Sequence, residues 1–237
     1  MPLSTTGQVK NHLIFDSGHR FFILGFIILL GLLCPGCCTH YTNLDQYKQC
    51  LRKYHDTRYE TDIQSCINGA EKYLHERTAR GGTNLALVLD IDETALSNWE
   101  EMGGKSKWSM DFGYNDAFFN DWVRQGQCTA IPPVLALYKD AEQAGVKVYF
   151  ITGRSESLRS ATEKNLRQVG YDHWDGLDLK PVGSKASVIE YKSARRKEIT
   201  ENDHCTIILN VGDQYSDLKG GYSEKCIKLP NPFYYIK

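Results

Sequence analysis

Leu85-Ala86-Leu87-Val88-Leu89-Asp90-Ile91-Asp92-Glu93-Thr94 decides the fold. Its first five residues are too few for a typical helix and apolar at every position, the pattern of a central parallel strand covered on both faces. Two carboxylates stand where that strand should end. Side chains alternate along a strand, so Asp90 and Asp92 share one face while Ile91 turns to the other. In an open α/β sheet, ligands bind in the crevice beyond the carboxyl ends of the strands. A lone Asp-x-Asp is more often a polar turn than a site, so the weight rests on what surrounds it.

Four more strands follow at residues 146–151, 177–179, 206–211 and 226–229. Between them, Pro132-Pro133 opens a helix closed by Gly145, Ser155 caps a helix running to Val169, and residues 187–201 form another. This alternation predicts an α/β fold, a doubly wound parallel sheet with helices on both faces. Residues 98–128 interrupt the pattern. They hold Trp99, Trp108, Phe112, Tyr114, Phe118, Phe119 and Trp122, broken by glycines, and read as a small aromatic-rich cap insertion. Upstream, Leu44, Tyr47 and Leu51, then Ile63, Ile67, Ala70 and Leu74, recur at helical spacing. With an apparent break at residues 55–59, residues 43–80 read as a helical hairpin.

Residues 1–38 stand apart from the domain at 39–237. Lys10, His19 and Arg20 precede an apolar run at 21–33, which is near the length of a signal-peptide core and short of the ~18 residues of a membrane span. Gly36-Cys37 resembles a lipoprotein cleavage site. Export is expected, to a periplasmic, secreted or membrane-anchored state. Cleavage, lipidation at Cys37 and a retained anchor through residues 21–37 stay open. The formal net charge is only -1, with no long basic run, which argues against a nucleic-acid partner.

The strand ends carry the chemistry. Asp90 and Asp92 follow the first, Thr152 and Arg154 the second, Asp213 and Asp217 the fourth, and Lys192 sits on the helix before the fourth. A parallel sheet gathers these ends along one edge. Hard carboxylate oxygens suit Mg²⁺, while Thr, Arg and Lys suit phosphate oxygens. A carboxylate can attack phosphorus and split a hard hydrolysis into two steps. Lys192 as a solvated helix residue, with Lys185 or Arg195 in its place, remains an alternative, as does Arg154 as a surface charge.

Five stretches carry a resemblance: Asp90-Ile91-Asp92-Glu93-Thr94-Ala95-Leu96-Ser97-Asn98, Phe150-Ile151-Thr152-Gly153-Arg154, Tyr191-Lys192-Ser193, Gly212-Asp213-Gln214-Tyr215-Ser216-Asp217-Leu218 and Leu229-Pro230-Asn231-Pro232-Phe233-Tyr234-Tyr235. Together the chain resembles the haloacid dehalogenase (HAD) superfamily, in the acid phosphatase branch that includes plant vegetative storage proteins and bacterial secreted phosphatases. The resemblance implies a HAD-like sheet and a Mg²⁺-dependent enzyme with an acid optimum acting on small phosphomonoesters. It implies Asp90 as nucleophile and Asp92 as general acid/base. Asp90, the Asp92 carbonyl and Asp213 would hold the metal, with Asp217 a further ligand. Thr152 and Lys192 would contact the phosphoryl group, and Arg154 less securely. Trp99 and Trp108 are candidate substrate contacts in the cap. A storage or binding protein with weak activity, or a phosphotransferase, is the alternative function.

An oxidising compartment would favour disulfides. The helical hairpin would set Cys50 level with Cys66, and the family's sheet order would bring Cys205 beside Cys226. Buried free thiols are the rival reading for the second pair.

Overall fold

Leu85–Leu89 (β1) is buried along its whole length and forms the middle of a five-stranded sheet. The computed structural model describes residues 43–103 and 115–236. Its other strands are Lys147–Ser155 (β4), Gly176–Lys180 (β5), Thr206–Gly212 (β6) and Lys225–Lys228 (β7), in the order β5-β4-β1-β6-β7. All four pairings are parallel. The period-two rule holds in β1: Leu85, Leu87 and Leu89 join one core cluster, and Ala86 and Val88 join the other. Truncating fully buried Leu87 to Ala would cost ~2–5 kcal/mol.

Helices cover both faces. Residues 44–79 are helical without interruption: α1 (Leu44–Tyr54), a π turn (His55–Tyr59) and α2 (Glu60–Ala79). The hairpin expected from the sequence is therefore corrected. The polar stretch at the apparent break keeps right-handed helical backbone, and the wider turn presents His55 and Tyr59 to an aromatic cluster. His55 stacks on Trp99 with ring centroids 3.7 Å apart, and Tyr59 meets Phe233 edge-on at 5.1 Å. α5 (Pro132–Gln143) and α6 (Arg159–Gln168) follow, and α7 (Val188–Glu201) packs against β4 and β6.

After β1 the chain turns sharply through Glu93, whose φ is 53°. Leu96–Ser97 (β2) pairs antiparallel with Thr129–Ala130 (β3), closing a neck. The insertion above it holds α3 (Trp99–Met102) and α4 (Asp116–Gln125). α4 is capped by Asn115 and ends at Gly126 in the left-handed region, φ 65°. Trp108 and the N-terminal segment 1–38, with its Cys37, lie outside the described residues.

Neither disulfide forms; Cys50, Cys66, Cys128, Cys205 and Cys226 are free thiols. Cys50 and Cys66 lie on one continuous helix, sixteen residues apart, which at ~1.5 Å per residue is ~24 Å. β6 and β7 are neighbours, but register separates the other two. Cys226 pairs with Asn210, five residues beyond Cys205, an offset of ~17 Å along the strand.

Candidate active site

α7 begins at a capping box in which Ser187 and Glu190 satisfy each other's backbone. That start sets Lys192, Arg196 and Ile199 on the buried side of the helix. Lys192 Nζ donates to Asp90 Oδ1 at the end of β1 and, at 2.6 Å, to Asp217 Oδ1 beyond β6. Arg196 is fully buried and donates to the carbonyls of Asp217, Lys219 and Gly221, fixing the loop that carries Asp217. Gly212 is required for the close approach of that loop, because a Cβ there would collide with the Asp217 side chain. Asp213 takes donors on Oδ2 from Gln214 Nε2 (2.7 Å) and Asn231 Nδ2 (2.6 Å), and on Oδ1 from Thr94 Oγ1 (3.3 Å).

Asp90, Asp213 and Asp217 are all buried, and one carboxylate oxygen of each lies within 4.8 Å of the others. With Lys192 the group carries -2 when fully ionised. Burial, with the neighbouring acids, pushes Asp90 well above the usual carboxylate range, although Lys192 opposes the rise. Burial and then Asp217 raise Asp213 to about 7. Burial would depress Lys192, but Asp217 and Asp90 outweigh it and hold the ammonium above its ordinary value. These are the marks of a site short of positive charge. A hard divalent cation fits the all-oxygen donor set and offsets the -2. Ser216 fits as well: its Oγ is buried without a hydrogen-bond partner, and the residue lines the same cavity.

Asp92 faces a different partner. Arg154 grips it at two points, Nη2 to Oδ1 at 2.6 Å and Nε to Oδ2 at 3.0 Å. The third arm of the guanidinium donates to Thr162 Oγ1 at 3.2 Å. Arg154 is thus engaged with Asp92 and α6, neither a surface charge nor aimed solely at a ligand. Thr152 is fully buried, and its Oγ1 accepts the Arg154 N–H at 3.1 Å, so it shapes the turn from behind the cavity wall.

A cavity of about 330 Å³ opens onto Asp90, Asp92, Lys192, Asp213 and Asp217. Met102, Phe119 and Tyr234 give it apolar walls, and Asp116 and Asn120 enter from α4. Trp99 is not among the lining residues; it packs on His55 and Phe233. Sequence reasoning named Phe119 as one of several cap aromatics without singling it out and passed over Asp116 and Asn120; all three come to the cavity on α4. It also gave no role to Glu93, Asn98 or Asn231, although all three lie in the quoted motifs. Arg195, the alternative to Lys192, pairs instead with Asp178 at 2.9 Å.

A parallel sheet with an acidic, lysine-bearing crevice at its carboxyl edge defines an α/β protein whose ligand site suits a divalent cation and a phosphate group. Residues 40–237 match the HAD superfamily, subfamily IIIB (acid phosphatase), and the chain belongs to that family. Acid phosphatase 1 of Solanum lycopersicum is 38% identical over 180 residues, covering 75% of this chain and 69% of that protein. A stem 28 kDa glycoprotein of Glycine max is 30% identical over 76% of this chain and 78% of its own. Among solved structures, the class C acid phosphatase of Bacillus anthracis with tungstate bound has a TM-score of 0.66 and 26% identity, covering 82% of this chain and 87% of its own.

Proposed function

We propose that this acid phosphatase is exported and hydrolyses small phosphate monoesters through an aspartyl-phosphate on Asp90. Asp92 is the general acid/base. The observation that carries the reading is the buried Lys192 ammonium set against Asp90, which opposes protonation of the nucleophilic oxygen and offsets negative charge beside an anionic substrate. An Asp90 oxygen bonds to phosphorus as the ester P–O bond breaks, and Asp92 supplies the proton to the departing oxygen. Asp92 then takes a proton from the water that hydrolyses the acyl phosphate. Mg²⁺, held by Asp90, Asp213, Asp217 and the Asp92 carbonyl, would supply positive charge against the phosphoryl oxygens.

Lys192 is the side chain we assign to the transferred phosphoryl group. Thr152 and Arg154, expected there as well, also support the turn and Asp92, and Arg154 lines the cavity. The Bacillus anthracis enzyme binds tungstate, a tetrahedral oxyanion like phosphate, which supports a phosphate-bearing substrate for this chain. Export rests on the apolar run at 21–33 and on relatives named as glycoproteins. A weakly active storage role is the second reading, favoured by 29% identity over 185 residues to vegetative storage protein 1 of Arabidopsis thaliana. Turnover of an aryl phosphate by the full chain separates the two. Strong turnover that EDTA abolishes and Mg²⁺ restores supports the enzyme; none under either condition supports storage.

A further inference from the structure

Asn98 has no part in the chemistry above, yet it joins the catalytic edge to the cap. Its Nδ2 donates to Asp92 Oδ1 at 3.0 Å and to Glu93 Oε2 at 3.1 Å. Its Oδ1 accepts from Trp122 Nε1 at 3.0 Å and from Cys128 Sγ at 3.3 Å. The residue is 1% exposed, and its backbone N–H donates to Glu93 Oε1 at 2.7 Å. Two acceptors on one side and two donors on the other leave one orientation for the amide.

We propose that Asn98 is a positioning residue that orients Asp92 and ties this orientation to the seating of α4 through the Trp122 indole. The inference rests on Asp92 as the general acid/base. Among the described residues, Asp92 Oδ1 receives three N–H contacts, from Arg154 Nη2 (2.6 Å), Arg154 Nε (3.1 Å) and Asn98 Nδ2, whereas Oδ2 receives one, from Arg154 Nε (3.0 Å). Oδ1 is therefore committed, and Oδ2 is the oxygen with capacity left to exchange a proton with the leaving group. The arginine fork fixes the carboxylate plane. Asn98 adds a third point from another element and stops the carboxylate rolling about the Arg154 axis.

α4 carries Trp122 and also brings Asp116, Phe119 and Asn120 to the cavity. A leaving group that meets α4 thus touches the helix whose seat sets the Asn98 amide. Among the described residues, removing the indole N–H would leave the weak Cys128 donor alone on Asn98 Oδ1. The amide could then turn its oxygen toward Asp92, where two acceptors repel.

The test compares wild type, Trp122→Phe, Asn98→Ala, Asp92→Asn and the double variant Trp122→Phe/Asp92→Asn on an alkyl phosphate and a nitrophenyl phosphate. Trp122→Phe keeps the ring packing and guards against a folding failure of Asn98→Ala. Its kcat on the alkyl ester should fall about tenfold, within the ~10²-fold that a ~1 Å misplacement can cost, with little change in KM. On the nitrophenyl ester, whose leaving group scarcely needs a proton, the loss should be much smaller. In the Asp92→Asn background, Trp122→Phe should add nothing. Equal losses on both esters, or additive losses in the double variant, would reduce Asn98 and Trp122 to packing and overturn the inference. If Asp92→Asn alone treated both esters alike, the general-acid role would fall, and this inference with it.

Discussion

Arg154 and Asp92 form a two-point ion pair in which the arginine side chain is wholly buried and the aspartate is 15% exposed. Burial would lower the Arg154 pKa, and the Asp92 carboxylate more than offsets this. With Asp92 as the proposed general acid/base, the pair puts Arg154 on the acid/base side of the site. Arg154→Lys keeps the charge but loses the planar fork. It should lower kcat on alkyl phosphates by ~10–10²-fold and stability by ~1–3 kcal/mol. Inhibition by inorganic phosphate should change little, as measured in competition assays. A large rise in the phosphate inhibition constant would instead make Arg154 a phosphate ligand.

Lys192→Met should be more damaging. It leaves Asp90 and Asp217 buried without their shared cation, so Asp90 holds a proton more tightly and loses nucleophilicity. A loss of about 10²–10³-fold in kcat is expected, the scale of removing one preorganised charge partner. Single-turnover rates on nitrophenyl phosphate measure it.

Stability should fall as pH rises in metal-free protein. Burial pushes Glu93 up to about 8 and Asp213 up to about 7, both above their ordinary values of 4.5 and 3.8. A carboxyl with a raised folded pKa favours the native state at low pH. That benefit is lost as pH climbs from the unfolded to the folded pKa. Thermal melts in EDTA should therefore show Tm declining between about pH 5 and 8. Mg²⁺ should restore most of the Asp213 share at the upper end. Glu93→Gln, close in shape to the protonated acid, should flatten the rest of the slope at a cost of about 1 kcal/mol.

Much of this was legible in the sequence, because the main strands are short apolar runs bounded by turn residues. The run at 85–89 and the carboxylates after it gave the central strand and the site edge together. The long N-terminal helix was misread because His55-Asp56-Thr57-Arg58-Tyr59 interrupts the apolar spacing, and nothing local distinguishes a π turn from a loop. The α7 stripe was obscure for a related reason: two of its three buried residues are cations, Lys192 and Arg196. Disulfide pairing failed on register and helix continuity, which are tertiary facts. Asn98 was quoted as part of a motif without a role, since its partners Trp122 and Cys128 lie 24 and 30 residues away.

The described cysteines should behave as thiols. Denaturing alkylation without prior reduction should label Cys50, Cys66, Cys128, Cys205 and Cys226, as read by peptide mass mapping. Burial raises the Cys128 pKa to about 11, so in native protein it should react far more slowly than exposed Cys50 or Cys226.

The most direct measurement of the central claim is acid-quenched trapping of enzyme mixed with excess nitrophenyl phosphate, followed by mass mapping of the peptide holding residues 85–98. We predict a phosphoryl adduct on Asp90 that appears within the first turnover and is absent in Asp90→Asn, whose hydrolysis should be negligible. Hydrolysis by wild type with no adduct at any quench time, or substantial activity in purified Asp90→Asn, would contradict the account.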